Sequence, residues 1–271
     1  MDKGAVFRKL HEAPGAFVIP NPWDIGTAKL LAAAGFRALA TTSAGFAFSR
    51  GLPDGGVPFD VMIAHCKELA GATELPVSAD LEKGKGDTPE SAAETIFAAE
   101  AAGLAGCSIE DFSGDPERPI YDFPHAVERV AAAAQAARAL RRDFVLTARA
   151  ENFLHGRPDL DDTIRRLQAF EKAGADVLYA PGITDVETVR TICSAVSRPV
   201  NVLAVPGFTV AALAEAGASR VSLGSRLTTY AFGMLQKASR EMLEQGTFDF
   251  SRDGMTFAAL QGMFARPAGM F

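Results

Sequence analysis

Apolar positions along the chain fall into two alternating kinds of run. Short apolar stretches at 16–19, 38–42, 76–79, 106–109, 144–148, 176–180, 200–203 and 220–223 have the length of buried strands. Between them lie alanine-rich or amphipathic stretches at 25–34, 59–69, 89–102, 125–140, 160–173, 186–196 and 210–216, and a longer one at 226–245 follows the eighth strand. Strands that are apolar throughout, rather than alternating, predict a parallel sheet covered on both faces. Eight strand–helix repeats that close on themselves predict an α/β fold, a (β/α)8 TIM-type barrel, over residues 1–246. Residues 247–271 form an apolar tail with a short helix, expected to pack on the barrel or on a partner subunit.

The punctuation between the runs agrees. Gly35, Gly103, Gly174 and Gly217 each end an alanine-rich run just before a strand, where a helix C-terminus calls for a left-handed residue. Asp24 is placed to cap the first helix of the repeat, and Thr88-Pro89-Glu90 supplies a cap, a first-turn proline and an acid. No G-x-G-x-x-G turn follows the first strand, which argues against a doubly wound dinucleotide-binding sheet.

Composition narrows the class further. With 48% hydrophobic and 22% charged residues over 271 positions, the chain is neither disordered nor a disulfide scaffold. The formal net charge is −6 at pH 7 and no block of Lys or Arg stands out, so neither nucleic acid nor an anionic membrane is expected as a partner. Cys66, Cys107 and Cys193 lie far apart in apolar contexts, which suits packed thiols in a reducing, cytoplasmic setting. The N-terminus lacks a continuous apolar segment, and the most apolar late stretch, 199–214, is interrupted by Pro206 and Gly207.

In a barrel of this kind the chemistry sits just beyond the C-terminal ends of the strands. Those positions carry Ser43-Ala44-Gly45-Phe46 and Asp54 after the second strand, Asp80 and Glu82 after the third, Glu110 and Asp111 after the fourth, and Arg149 and Glu151 after the fifth. Several carboxylates at one mouth repel one another unless a cation sits among them. Hard oxygen donors without a His/Cys cluster favour Mg2+ or Mn2+ over zinc, with part of the ion's water shell retained. In Asp80-x-Glu82, the i, i+2 spacing points both acids the same way while the chain is extended. Arg149 has two readings, an ion pair to a neighbouring acid or a fork for a substrate carboxylate. Ser43–Phe46 carries small residues whose backbone N–H groups could form an anion nest. His11, His65, His125 and His155 share no metal-binding spacing; the first two lie in helical context and the last two near the active rim.

These elements in this order resemble the isocitrate lyase/phosphoenolpyruvate mutase superfamily over roughly residues 5–245: Asn21-Pro-Trp-Asp24, Thr42-Ser-Ala-Gly45, Gly51-Leu-Pro-Asp54, Asp80-Leu-Glu82, Glu110-Asp111 and Thr147-Ala-Arg149. The resemblance implies that Asp54, Asp80, Glu82 and Glu110 hold Mg2+, with Asp80 as the direct ligand. It also implies that Ser43, Ala44, Gly45 and Phe46 offer donors to a 2-oxo acid, that Arg149 pairs with it, and that a swapped eighth helix builds a homodimer or homotetramer. Asn201 on the seventh strand joins the substrate-binding set, and Glu110 and Arg149 form the catalytic pair.

Departures from the family pattern are equally specific. The lyases of the family carry a Cys-Gly-His segment after the fourth strand, and the mutase a Lys and an Asn. Here that stretch reads Phe112-Ser-Gly-Asp-Pro-Glu-Arg-Pro-Ile-Tyr-Asp-Phe123. Ala180-Pro181-Gly182 replaces the lyases' Pro-Glu after the sixth strand. The expectation is therefore a Mg2+-dependent enzyme acting on a C–C bond beside a 2-oxo or 2-hydroxy carboxylate through an enolate. Loop 112–124 would close over it, with Glu117, Tyr121 and His125 as candidate proton donors. The alternatives are an oxaloacetate-type decarboxylase or hydrolase, a mutase, or a non-catalytic 2-oxo acid binder.

Overall fold

The computed structural model describes residues 2–265. Its strands are β1 (Phe17–Ile19), β2 (Leu39–Ala40), β3 (Val77–Asp80), β4 (Gly106–Glu110), β5 (Val145–Arg149), β6 (Val177–Tyr179), β7 (Val200–Leu203) and β8 (Arg220–Ser222). From β2 to β8 each pairs in parallel with the next in sequence, and β8 returns to pair with β1. Between β1 and β2 the Ala40 N–H donates to the Pro20 carbonyl at 3.0 Å, so the sheet is a nearly closed (β/α)8 barrel.

The helices are α1 (Lys3–Glu12), α2 (Ile25–Ala33), α3 (Ser43–Ser49), α4 (Phe59–Ala72), α5 (Pro89–Ala101), α6 (Phe123–Ala139), α7 (Leu160–Ala173), α8 (Val186–Ala195), α9 (Val210–Glu215), α10 (Arg226–Glu244) and α11 (Phe257–Phe264). The expected caps form: Asp24 and Thr88 accept the N–H groups of Thr27 and Ser91. Gly35, Gly103, Gly174 and Gly217 all have positive φ.

Within the barrel segment, two helices lie outside the eight-repeat pattern. In α1, Asp2 caps the first turn, and Phe7 and His11 turn inward one turn apart to close the barrel's N-terminal end. Gly4 sits so close to the chain that an added Cβ would lie 1.7 Å from the Asp143 carbonyl oxygen. The other, α3, shortens β2 relative to the expected 38–42. Thr42 leaves the sheet to become the cap of α3, its hydroxyl accepting the Gly45 N–H at 3.0 Å.

Buried apolar side chains fill the layer between sheet and helices, for example Leu39, Leu69, Ile96, Leu104 and Leu146 on one side of the barrel and Leu167, Phe170, Leu178, Val189 and Leu213 on the other. The long helix α10 is different: only Thr228 and Ala238 are buried, while Tyr230, Phe232, Leu235 and Leu243 face outward. Of the tail expected over 247–271, α11 packs near α2, with the Phe264 ring 3.9 Å from a Cβ built at Gly26; residues 266–271 lie outside the described residues. No helix among the described residues is long and apolar enough to cross a membrane.

Candidate active site

Strand ends on one side of the barrel surround a cavity of about 280 Å³, lined among others by Ser43, Ala44, Asp54, Asp80, Arg149 and Asn201. Asp80, the last residue of β3, organises the mouth. Its N–H donates to the Thr41 hydroxyl at 2.9 Å, and its Oδ2 accepts the Ser43 hydroxyl at 2.9 Å and the Ser43 N–H at 3.3 Å. Its Oδ1 accepts the Arg149 Nη1 at 2.6 Å.

Arg149 spans three acids. Beyond Asp80, its Nε donates to Glu151 at 2.8 Å and its Nη2 lies 3.2 Å from Glu110. Burial works against the guanidinium charge, but Glu151, Glu110 and Asp80 outweigh it and hold the group firmly protonated. All three of its nitrogens are therefore engaged by protein carboxylates, which is the ion-pair reading of this residue. The acid network continues inward: the Glu151 N–H donates to Asp111 at 2.8 Å, and Arg166 pairs with Asp111 at 3.0 Å and with Asp162 at 2.7 Å.

One arginine does not neutralise this mouth. Burial, then Asp80 and Asp54, pushes the Glu82 carboxyl up to about 7. Burial, reinforced by Glu151, Asp80 and Glu82, holds Glu110 well above the ordinary carboxylate range against the pull of Arg149. Burial and then Asp80 raise Asp54 as well. Glu82 reaches this cluster by a route the spacing argument did not foresee. The strand ends at Asp80, and Glu82 takes a φ of 53°, the only positive φ of a non-glycine among the described residues. Such a conformation costs of order 1–2 kcal/mol.

The nest expected at Ser43–Phe46 is instead the first turn of α3. The Gly45 and Phe46 N–H groups are spent on the Thr42 hydroxyl and carbonyl, the Phe46 ring stacks on His65 at 3.6 Å, and neither residue lines the cavity. Ser43 and Ala44 do line it. Glu82 and Glu110 stand behind the rim, felt through charge rather than as cavity wall.

The loop after β4 also corrects an expectation. Phe112 bridges to Ile120 and stacks on His155 at 3.8 Å. Tyr121 donates its hydroxyl to the Asp87 carboxylate, the His125 ring bonds the Asp87 carbonyl at 2.8 Å, and the Glu117 N–H donates to Asp115 at 2.9 Å. None of these three candidate donors lines the cavity. The buried phenol of Tyr179 does; its ring lies 5.3 Å under the Arg149 guanidinium, and burial pushes its hydroxyl up to about 12. It had no motif to announce it, only a place at the end of the sixth apolar run. The cysteines behave as packing groups, with burial pushing the Cys66 thiol up to about 12.

Comparison with known proteins places the chain. The family model for phosphoenolpyruvate phosphomutase matches residues 7–243. A crystal structure of a candidate lyase/mutase from Burkholderia cenocepacia J2315 superposes with a TM-score of 0.96 at 52% identity, covering 98% of this chain and 96% of that one. The 2-methylisocitrate lyase of Escherichia coli K12 is 30% identical over 206 residues, 73% of this chain and 68% of that enzyme. Oxaloacetate acetylhydrolase, solved with its product oxalate, superposes with a TM-score of 0.86 at 25% identity, over 97% of this chain and 93% of that one. The activities named among these relatives are lyase, mutase and hydrolase. Barrel, acidic mouth and these likenesses agree: the chain belongs to the isocitrate lyase/phosphoenolpyruvate mutase superfamily.

Proposed function

We propose that this chain is a Mg2+- or Mn2+-dependent enzyme that breaks or forms a C–C bond beside a 2-oxo or 2-hydroxy carboxylate through an enolate. The observation that carries the reading is the surplus of carboxyl groups at the mouth: Asp54, Asp80, Glu82, Glu110 and Glu151 crowd around the single guanidinium of Arg149, and three of these acids are driven towards their protonated forms by burial and mutual repulsion.

This donor set fits a hard divalent cation by charge and by chemistry. Among the described residues no group of three or more His, Cys, Asp or Glu side chains stands ready to hold a metal ion, so the fit is to an ion that keeps most of its water and that Asp80 would hold. When bound, such a cation polarises a 2-oxo oxygen as a Lewis acid. The remaining work falls to the chain. Ser43 fixes the Asp80 carboxylate, Thr41 its backbone N–H, and Arg149 ties Asp80, Glu110 and Glu151 into one rigid wall. Tyr179, which also lines the cavity, stays protonated through the neutral range and is placed to hand a proton to a departing carbanion. Phe112 stacked on His155 keeps the loop after β4 folded beside the site.

A hydrolytic or decarboxylating reaction on an oxaloacetate-like acid is the second reading, favoured by a loop whose Tyr121 and His125 are bonded away from the cavity. A panel of 2-hydroxy di- and tricarboxylates and oxaloacetate, assayed with Mg2+ and with excess chelator, separates the two by product. Turnover is expected to vanish in chelator and in Asp80→Ala. Oxalate, which shares the oxygen geometry of the pyruvate enolate, is expected to inhibit only with metal present. Full activity in chelator, or tight ligand binding with no turnover of any substrate in the panel, would overturn the enzyme reading.

A further inference from the structure

The cavity is electrically two-ended. Its mouth holds the carboxylates, whereas its floor holds a second arginine, Arg220, at the start of β8 and 5% exposed. Unlike Arg149, Arg220 makes no ion pair among the described residues. Its Nε donates to the Asn201 amide oxygen at 2.8 Å, one Nη to the Thr147 hydroxyl at 3.1 Å, and the other lies 3.2 Å from the His11 ring. Burial, with Arg220 itself, holds the His11 ring neutral, so it adds no second positive charge beside the guanidinium. The Asn201 amide is in turn fixed by donating to the Ser222 hydroxyl at 2.9 Å.

A guanidinium has five N–H donors, and these contacts account for three of them. A buried cation surrounded by neutral groups is costly unless an anion completes it. Burial already weakens its hold on the proton, down to about 10. Among the described residues no acid supplies that anion, and Arg220 borders the same cavity as Ser43, Asp80 and Arg149. The cavity volume of about 280 Å³ suits a short organic acid rather than a nucleotide or sugar phosphate.

We propose that Arg220, held by Asn201 and Thr147, is a carboxylate-binding site on the cavity floor, and that it takes the far carboxylate of a dicarboxylic substrate whose 2-oxo or 2-hydroxy acid end lies at the acidic mouth. This rests on the reading of the mouth as the site of a 2-oxo acid and narrows the substrate to a diacid. Arg149, its charge balanced by three acids, sets the mouth; Arg220 sets the length and charge of what fits beneath it.

Calorimetric titration of the intact protein with saturating Mg2+ tests this without requiring turnover. Malate and 2-oxoglutarate are compared with lactate and pyruvate. In the wild type at least one diacid is expected to bind ten times more tightly than its monoacid counterpart or better. In Arg220→Gln that ratio should fall to within about threefold while monoacid affinity holds. Acetate added to pyruvate distinguishes the source of the carboxylate: if acetate tightens pyruvate in the wild type and not in Arg220→Gln, the floor takes a separate small acid. A wild type with no diacid preference and no acetate effect overturns the proposal, and this comparison needs no variant to fold. So does a diacid preference that survives in folded Arg220→Gln. Failure of the C–C bond reading appears separately, as absence of cleavage with diacid preference intact.

Discussion

Arg149 shows how one residue can be legible in type and position yet not in role. Its place at the end of the fifth apolar run marks it as a rim residue, and the structure puts it there, 13% exposed, with Asp80, Glu110 and Glu151 around it. Removing one partner from a buried ion network leaves uncompensated charge, at a typical cost of about 3–5 kcal/mol. Arg149→Ala is therefore expected to lower the melting temperature and to weaken oxalate binding at least tenfold. Arg149→Lys should recover little, since an ammonium cannot reach three carboxylates in a plane. Unchanged melting and oxalate affinity in the alanine variant would contradict the assignment.

Glu82 carries a pH prediction on the same scale. Its folded carboxyl, near 7, lies above its ordinary value of 4.5. The folded state thus binds the proton more tightly than the unfolded one, so this group's stabilisation is present below about 4.5 and is lost as the pH rises through about 7. Buried His11 and His65 titrate in the opposite sense, because burial depresses both. The clean measurement is consequently the difference in stability between wild type and Glu82→Gln in chelator. It should shift against the wild type between pH 5 and pH 8, and Mg2+ should reverse the shift; a difference flat with pH would refute it.

At the scale of elements, α3 decides the shape of the rim. A run of small residues expected to form an anion nest becomes a helix because Thr42 caps it and because Gly45 lets α10 approach. A Cβ at Gly45 would lie 2.4 Å from the Thr228 hydroxyl and 2.5 Å from the Thr42 methyl. Gly45→Ala should therefore cost about 1–3 kcal/mol by overpacking and loosen the Ser43–Asp80 contact. Thermal unfolding would register the first effect and reduced Mg2+-dependent oxalate binding the second. Were both unaltered, the α3–α10 contact would not be what holds the rim.

At the scale of the molecule, α10 and the segment after it leave an apolar surface uncovered: Tyr230 is 66% exposed, Leu235 65%, Leu243 87%, Phe248 65% and Phe257 83%. Large apolar side chains left exposed in such number along one segment point to an interaction site. Assembly into a homodimer or homotetramer through α10 is the expected outcome in sedimentation at micromolar concentration. Leu235→Glu combined with Leu243→Glu should give a monomer whose barrel still melts cooperatively. A wild-type monomer with a stable fold would remove the basis for this assembly.

The eight repeats were legible in the sequence because each depends on local causes. Apolar runs too short for helices, alanine-rich periodic segments, and caps at Asp24 and Thr88 each act within a few residues, and most observed elements begin or end within a residue or two of the expected places. The acidic mouth was legible too, since a strand's end fixes the side of the barrel on which Asp80, Glu110 and Arg149 emerge. What the sequence could not decide is which groups meet. The distance from Arg149 to Glu110 and Asp80, the left-handed turn that brings Glu82 back, the loop candidates bonded to Asp87 rather than to the cavity, and the solitary Arg220 on the floor all depend on strands far apart in the chain meeting in one barrel. Charge acts through space rather than along the chain, so only the tertiary structure could show that one arginine has its charge balanced by acids and the other is left without one.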